Sequence, residues 1–564
     1  MQTIAIRLQN LRKEMNHHNI DMYLIPSIDA HNSEYLPNCW QRRPWISGFD
    51  GSAGEVIVTN DHAYLWTDGR YFLQAEHQLD SNYYSLIKQT GFSSEAEQWL
   101  ANNGQGKRLG IDPRLISIKR ANKLKKTMQA VDGELVVLND NLIDSSRITM
   151  GETLNLPSEH VFYLDDSYTG MNITSKLSWL QDELDILSAD YIAINVLDEI
   201  AWLFNIRGND IEFNPLVISY AIIGKQNATL FVEPQKIDSK LKETLLKNGV
   251  TIVNYNQFGD YLSNLTGHVA LDEKTATYWM LSLANKQAKV KLIRSPIVLA
   301  KSIKNNTEIN GAKSAHIQDA IAVVNFLTWL NHPLTSGVDE LSASHKLAEF
   351  RKNSTSLHGD SFATISGFAS NGAVIHYHAT AATNKKIDDS SLYLIDSGGQ
   401  YLEGTTDITR TIHLGTPTNQ QIHHYTLVLK GHLALGRAIF PHGTCGEHLD
   451  VLARLPLWSE HLNYRHGTGH GVGSFLCVHE GPQRISTGTS GVALVPGMIV
   501  SNEPGVYLDG EYGIRIENLC LVTDIAQSQA SNYGKFYTFV DLTLVPYCKK
   551  LIDTSLLSDE DKQS

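Results

Sequence analysis

The sequence predicts an α/β protein, α+β in its last part: two related α/β domains followed by a larger domain mixing helices with strands. Three observations point there. The chain has 564 residues, too many for one core on a prior of roughly 150 residues per domain. A helix-then-strands plan occurs twice before residue 302, and "IVTNDHAYLWTDGRY" and "AIIGKQNATLFVEPQ" match as strand, polar turn and Ala-x-Leu-aromatic strand, a weak internal repeat. Beyond it the pattern changes to one long helix and strands joined by Gly-rich turns.

The elements follow in order. In "MQTIAIRLQNLRKEMNHH", Ile4, Leu8, Leu11 and Met15 fall at helical spacing with charges between them, an amphipathic helix. Then come the strand "MYLIPS", the loop "SGFDGSAG" and strands around "GEVIVTNDHAYLWTDGRYF", closing a first block at 158. The second block, 159–301, offers a helix "ITSKLSWLQDELDIL", a strand "YIAINV", a helix "LDEIAWLFNI" and strands around "VISYAIIGKQNATLFVEP". The third, 302–564, opens on a long helix whose apolar spacing starts at Ile309. Within it "LYLIDSGGQYLEGTTDITRTIHLG" reads as a hairpin: an apolar strand ending on Asp396, Gly398, Gly399 and Gly404 in the turn, and a second strand from about Thr405 to Leu414 that carries Asp407. The polar end "LSDEDKQS" is expected to fray.

Composition narrows the function. The net charge of −13 provides no basic patch of the kind nucleic acid requires. No run of about 18 apolar residues exists for a membrane span, and the N-terminal helix lacks a signal peptide's apolar core and cleavage site. Cys39, Cys445, Cys477, Cys520 and Cys548 are scattered, odd in number and without CxxC spacing. The expectation is no disulfide and a reducing cytoplasm.

Five side chains of the third block sit in unusual company. Asp396 ends an apolar run, and Asp407 interrupts an alternating one. His470 lies in the Gly-rich "HGTGHGVGS", Glu503 follows the apolar run of "MIVSNEPGVY", and Glu517 falls inside the alternating "YGIRIENLCLV". Singly, each has an ordinary explanation: a turn cap, a loop residue, a core histidine. Together, four carboxylates in one place would repel and raise one another's pKa values. Two divalent cations would balance four negative charges. Oxygen-rich donors with one imidazole suit Mn²⁺, Co²⁺, Fe²⁺ or Zn²⁺.

In order and spacing, these five residues resemble the metal ligands of the pita-bread metallopeptidases, the family of methionine aminopeptidase, prolidase and aminopeptidase P. The chain is most similar to the long, three-domain, cytosolic-type Xaa-Pro aminopeptidases, through "YLIPSIDAHNSEY", "SGFDGSAG", "WTDGRYFLQA", "LDEIAWLFNIRG", "SYAIIG", "HGTGHGVGSFL", "VHEGP" and "GIRIENLCLV". The resemblance covers nearly the whole chain. It implies two creatinase-like N-terminal α/β domains, 1–158 and 159–301, and a pita-bread catalytic domain, 302–564.

It also implies an activity, hydrolysis of the N-terminal Xaa-Pro bond of peptides, and two divalent ions per chain, manganese by resemblance. Asp407 and Glu517 would bridge the ions, Asp396 would chelate one, and His470 and Glu503 would hold the other. Catalytic roles fall to His376, His466, His479 and Glu503, and substrate contacts to Arg70, His376, His466, His470 and His479. By themselves His376 reads equally as core packing on a strand-like run, and Arg70 as a surface salt-bridge residue. The Gly-Thr-Gly between His466 and His470 argues against a helix joining them. The implied partners are peptides with proline second, with no nucleic acid and no membrane. Two readings compete: a prolidase using the same ligands on dipeptides, and a non-catalytic peptide-binding module of the same fold. The chain departs from the subfamily at His378-Ala379, where an Ala-Pro pair is common, and in lacking the further helical tail of long members, which leaves a homodimer open.

Overall fold

The computed structural model describes residues 3–89, 95–332, 337–525 and 533–563. The chain divides into two compact units. One comprises Met1–Tyr163, Met171–Glu212 and Leu216–Ile297; the other comprises Leu164–Gly170, Phe213–Pro215 and Val298–Ser564.

The first unit opens with the expected amphipathic helix, α1 (Ile4–His17), whose Leu8, Leu11 and Met15 are fully buried. They pack on Tyr23, Ile25, Val56 and Val58. Six strands form one sheet: β1 (Met22–Ile25), β2 (Glu55–Thr59), β3 (Ala63–Thr67), β4 (Tyr84–Lys88), β5 (Arg108–Ile111) and β6 (Glu134–Val137), in the order β4-β3-β2-β1-β5-β6. After helix α2 (Ile173–Ile186), six more form a second sheet: β7 (Tyr191–Ile194), β8 (Tyr220–Gly224), β9 (Ala228–Phe231), β10 (Val250–Val253), β11 (His268–Asp272) and β12 (Lys289–Ile293), ordered β10-β9-β8-β7-β11-β12.

The two sheets share strand order and strand direction. β1 is antiparallel to β2 and parallel to β5, as β7 is to β8 and β11. The hairpins that look alike in sequence occupy equivalent places, and each turn is closed by the same bond: Thr59 N to His62 O at 2.9 Å, Gly224 N to Asn227 O at 2.8 Å. The repeat is therefore architectural. The helix expected over "LDEIAWLFNI" is shorter than that run, spanning Leu197–Leu203; Asn205 then takes a positive φ of 51° and turns the chain.

The second unit starts on α3 (Asn306–Leu330). It begins three residues before the first apolar position that marks it. Asn305 caps the N–H groups of Thr307 and Glu308, while Glu308 returns a bond to Asn305 N, a polar capping box that apolar spacing cannot register. α4 (Glu340–Arg351) follows, and the two helices bury Val323, Phe326, Leu330 and Leu347 against Tyr393, Ile395 and Ile408.

The strands come next: β13 (Leu357–Asp360), β14 (Ile365–Phe368), β15 (Leu392–Ser397), β16 (Gly399–Tyr401), β17 (Gly404–Thr405) and β18 (Ile408–His413). β14, β15 and β18 make one antiparallel sheet and β13, β16 and β17 another. Helix α5 (Asn419–Gly436), strand β19 (Ile439–Pro441) and helix α6 (Gly446–Trp458) precede β20 (Gly469–His470), β21 (Arg484–Ile485), β22 (Ile499–Asn502), β23 (Gly505–Leu508), β24 (Tyr512–Arg515), β25 (Asn518–Asp524) and β26 (Phe536–Asp541). β19, β26, β25 and β22 form a four-stranded sheet; β20 pairs with β21, and β23 with β24.

The polar end does not fray as expected over its described residues. Asp559–Gln563 form a short helix, α7, capped by bonds between Ser558 and Asp561. Arg437 Nη1 holds the Asp561 carboxylate at 2.6 Å. Ser564, the last residue of that run, lies outside the described residues. All five cysteines are free, in line with the expected absence of disulfides. Among the described residues no helix is long and apolar enough to cross a membrane.

Candidate active site

All five donors sit where a strand ends or breaks. Asp396 is the penultimate residue of β15, His470 ends β20, and Glu503 follows the last residue of β22. Two expectations need correction. Asp407 lies between β17 and β18 rather than inside one strand, because β17 pairs with β16 and β18 with β15. Glu517 lies between β24 and β25, which pair with β23 and β22 respectively. In both places the chain changes sheets. The break releases the carboxylate from the strict in-and-out alternation of a ladder, and local bonds aim it. Thr409 Oγ1 donates to Glu517 Oε2 at 2.6 Å, and Glu517 N donates to Thr409 O at 3.2 Å.

The break is where donors converge. Asp407, His470 and Glu517 offer ligand atoms that all lie within 4.8 Å of one another. His470 Nε2 is 3.5 Å from Asp407 Oδ2 and 3.5 Å from Glu503 Oε1. The imidazole is oriented from behind. Its Nδ1–H donates to Gly471 O at 2.9 Å, and its backbone N–H donates to Ser501 Oγ at 2.9 Å. That tautomer leaves the Nε2 lone pair directed at the carboxylates, the usual arrangement of a ligating histidine. Gly469 makes the approach possible: a Cβ there would lie 2.0 Å from Ser501 O.

Left to themselves, Asp396, Glu503 and Glu517 resist ionisation. Burial pushes Asp396 up to about 7 against the pull of Arg515, with Asp407 and Glu503 adding to the rise. Burial likewise raises Glu517 and Glu503, and their carboxylate neighbours push the same way. For His470 burial opposes protonation, but Asp407 and Glu503 outweigh it and lift the imidazole to about 9. Asp396 Oδ1 is buried with no hydrogen-bond partner among the described residues, a cost that native proteins seldom leave standing. Clustered buried carboxylates, an orphaned carboxylate oxygen and an inward-turned imidazole together fit divalent cations of the hard or borderline kind.

Two of the histidines expected to serve substrate, His466 and His479, are near these donors. His466 Nδ1 donates to Gly467 O (2.7 Å) and stands 3.7 Å from Glu503 Oε2; its Nε2 accepts from Tyr507 Oη (2.9 Å). The His479 ring meets the His470 ring edge-on at 4.5 Å. His376 is not on a strand: it lies in a turn after the 3₁₀ segment Ala369–Ala373. That loop is organised around the buried Glu340 carboxylate, which accepts from Phe368 N, Asn371 Nδ2, Tyr377 Oη and Lys385 N. A carboxylate in the preceding helix thus overrides the β-like look of "VIHYHA".

Arg515 was not singled out in the sequence. Fully buried, it donates from Nη2 to Asp396 Oδ2 (2.7 Å), from Nη1 to Tyr507 Oη (2.7 Å) and from Nε to Thr409 Oγ1 (3.1 Å). The order Arg515, Tyr507, His466 is a directed chain of donors. The signal was present: in "GIRIEN" Arg515 is two residues before Glu517 in an otherwise apolar run. Arg70 belongs to the first unit. There it makes a bidentate pair with Asp68 (2.8 and 2.7 Å) and lines a cavity of about 470 Å³ with Ser27, Glu34, Trp66 and Arg120.

Comparison with known proteins extends these observations. Residues 310–524 match the model of metallopeptidase family M24, and 535–564 its C-terminal region. Residues 7–148 and 153–308 each match a creatinase/prolidase N-terminal domain. A probable Xaa-Pro aminopeptidase P of Neurospora crassa is 44% identical over 99% of this chain and 84% of its own length. One of Sordaria macrospora is also 44% identical, over 99% and 93%. The crystal structure of X-prolyl aminopeptidase from Caenorhabditis elegans, described as a cytosolic enzyme with a di-nuclear active site, superposes with a TM-score of 0.94 at 36% identity, covering 100% of this chain and 94% of that one. Prolidase from Pyrococcus furiosus covers 65% of this chain and 99% of its own, with a TM-score of 0.52 at 26% identity.

Proposed function

The chain belongs to metallopeptidase family M24, with the Xaa-Pro aminopeptidases P, and from that premise we propose that it hydrolyses the N-terminal Xaa-Pro bond of peptides. The observation that carries this reading is the convergence of Asp407, His470 and Glu517, with Glu503 and the half-satisfied Asp396 beside them, on a chain similar to aminopeptidase P along 99% of its length. The residues that would hold two divalent ions are Asp396, Asp407, His470, Glu503 and Glu517, and manganese is our choice of ion, in keeping with a carboxylate-rich donor set. When bound, such a pair polarises a peptide carbonyl and lowers the pKa of a water towards neutrality.

The remaining work falls to this chain's own side chains. Glu503 takes the proton of the attacking water; its carboxylate is close to both His470 and His466. Arg515 orients Asp396 through the 2.7 Å bond to its Oδ2 and opposes its protonation. His466, in hydrogen-bond contact with Tyr507, or His479 stabilises the charge that develops on the carbonyl oxygen, and protonation of the departing proline nitrogen is a transfer suited to an imidazole. His376 and His479 contact substrate. Arg70 joins the substrate contacts by resemblance alone. We assign two N-terminal domains, 1–158 and 159–301, ahead of a catalytic domain, 302–564, a division that the two sheets of the first unit support. A cytoplasmic location fits the five free cysteines.

A cleavage panel tests the proposal. Xaa-Pro-Yaa tripeptides, Xaa-Pro dipeptides and Xaa-Ala-Yaa controls are incubated with protein as purified, after chelation, and after refilling with Mn²⁺. The expected result is metal-dependent cleavage of the tripeptides after the first residue. Full activity in the chelated protein would refute the metal mechanism, and cleavage confined to dipeptides would make the chain a prolidase.

A further inference from the structure

The loop that carries His466 and His470 has no strand pairing before Gly469, so something other than a β-ladder must hold its backbone. Much of that holding comes from an ion pair on α6. Asp450 and Arg454, a single turn apart, are both buried. Arg454 Nε donates to Asp450 Oδ2 at 2.7 Å, which leaves both terminal nitrogens for the loop. Nη1 donates to Tyr464 O at 2.8 Å and to Asn463 Oδ1 at 3.0 Å; Nη2 donates to His466 O at 2.7 Å. The other Asp450 oxygen accepts from Thr468 Oγ1 at 2.5 Å, and that hydroxyl also meets Tyr464 Oη at 2.5 Å.

The rings complete the arrangement. The Arg454 guanidinium lies 3.8 Å from the Tyr464 ring centroid, and the Tyr464 and His466 rings are 4.9 Å apart. Downstream, Thr468 O accepts from Glu503 N at 2.8 Å. Upstream, α6 is itself pinned: a Cβ on Gly431 of α5 would lie 2.1 Å from Ala453 O, so the two helix backbones are in contact. A rigid helix, a buried fork and three successive loop attachments thus lead to one imidazole.

We propose that the Asp450–Arg454 pair is a positioning device for His466, and that it governs turnover rather than substrate capture. The proposal rests on the reading of this site as a peptidase centre in which His466 acts. An ion pair serving stability alone would need only to satisfy itself. Here Nε holds Asp450 while the two terminal nitrogens reach three loop acceptors, Asn463 Oδ1, Tyr464 O and His466 O, a task for a planar fork that a lysine point charge cannot perform.

The test uses the full-length, metal-loaded protein. Arg454→Lys keeps the buried positive charge beside Asp450 and removes the carbonyl bonds. The expected outcome is a fall in kcat of roughly 10- to 100-fold on an Xaa-Pro-Yaa peptide, with KM within about twofold and bound metal equal to wild type. In a His466→Ala background the same substitution costs no more than about twofold, because the residue it positions is gone. Thr468→Val, which cuts the loop's link to Asp450 while conserving shape, moves kcat in the same direction, shows the same non-additivity, and carries the test should Arg454→Lys fail to fold. Losses that multiply across the double variant, or an unchanged kcat in folded Arg454→Lys, overturn the positioning role and leave the peptidase reading intact. A metal-loaded wild type that cleaves no Xaa-Pro peptide overturns both.

Discussion

Stripping the metal should leave a protein whose stability falls as pH rises. Two groups set the direction. The Asp396 carboxyl is raised from 3.8 to about 7, so between those values the fold holds a proton that the unfolded chain has released. Stability therefore declines as pH climbs through that window. The His470 imidazole is raised from 6.5 to about 9; its contribution is complete below 6.5 and disappears as pH passes 9. Both terms have the same sign.

Asp396 sets the scale, about 4 kcal/mol, because His470 responds to the same carboxylates and is not an independent addition. For a unit of this size that corresponds to a melting shift on the order of 10 °C. Divalent cations replace the protons and flatten the curve, so the stabilisation from added metal should grow with pH. The assay is a thermal melt at pH 4, 5, 6, 7 and 8, with chelator and with excess Mn²⁺; the difference between the two curves isolates the site from every other titrating group. A metal-induced increment that is constant or shrinks with pH would refute the reasoning.

Three further outcomes follow from named contacts. Glu503→Gln should reduce kcat by about 10²- to 10⁴-fold; wild-type rates with metal still bound would remove Glu503 from the proton-transfer role. Glu480 is buried with its carboxylate 3.2 Å from Lys304 Nζ and 3.0 Å from Lys301 Nζ, so Glu480→Gln removes the negative charge that faces both buried cations and should destabilise the protein by about 3–5 kcal/mol, visible as a lower denaturant midpoint. An unchanged midpoint would mean that these lysines find other partners. Gly469→Ala forces β20 off Ser501 O, where the added carbon would sit at 2.0 Å; activity should drop more than about tenfold in a protein that still folds, and full activity would show that His470 tolerates the displacement.

Much of this architecture is legible in local pattern. Leu8, Leu11 and Met15 announce a helix by spacing, and the two matching hairpins announce a repeat, because both signals lie between covalent neighbours. The capping of α3 by Asn305 and Glu308 and the turn around Glu340 escaped that pattern. They depend on single polar bonds, and in the second case on a helix that precedes the loop.

The candidate site divides the same way. Sequence by itself determined which side chains could be donors: charged groups at the ends of apolar runs are expensive to bury, and Asp396, Asp407, His470, Glu503 and Glu517 stand out for that reason. Only the tertiary structure decided that Asp407 and Glu517 lie at sheet-to-sheet breaks, that Arg515 grips Asp396 across 119 residues of chain, and that Arg454 steers His466 through its carbonyl. Hydrogen bonds of 2.7 Å are properties of space, and residue order constrains space only over the few positions that the backbone's own geometry spans.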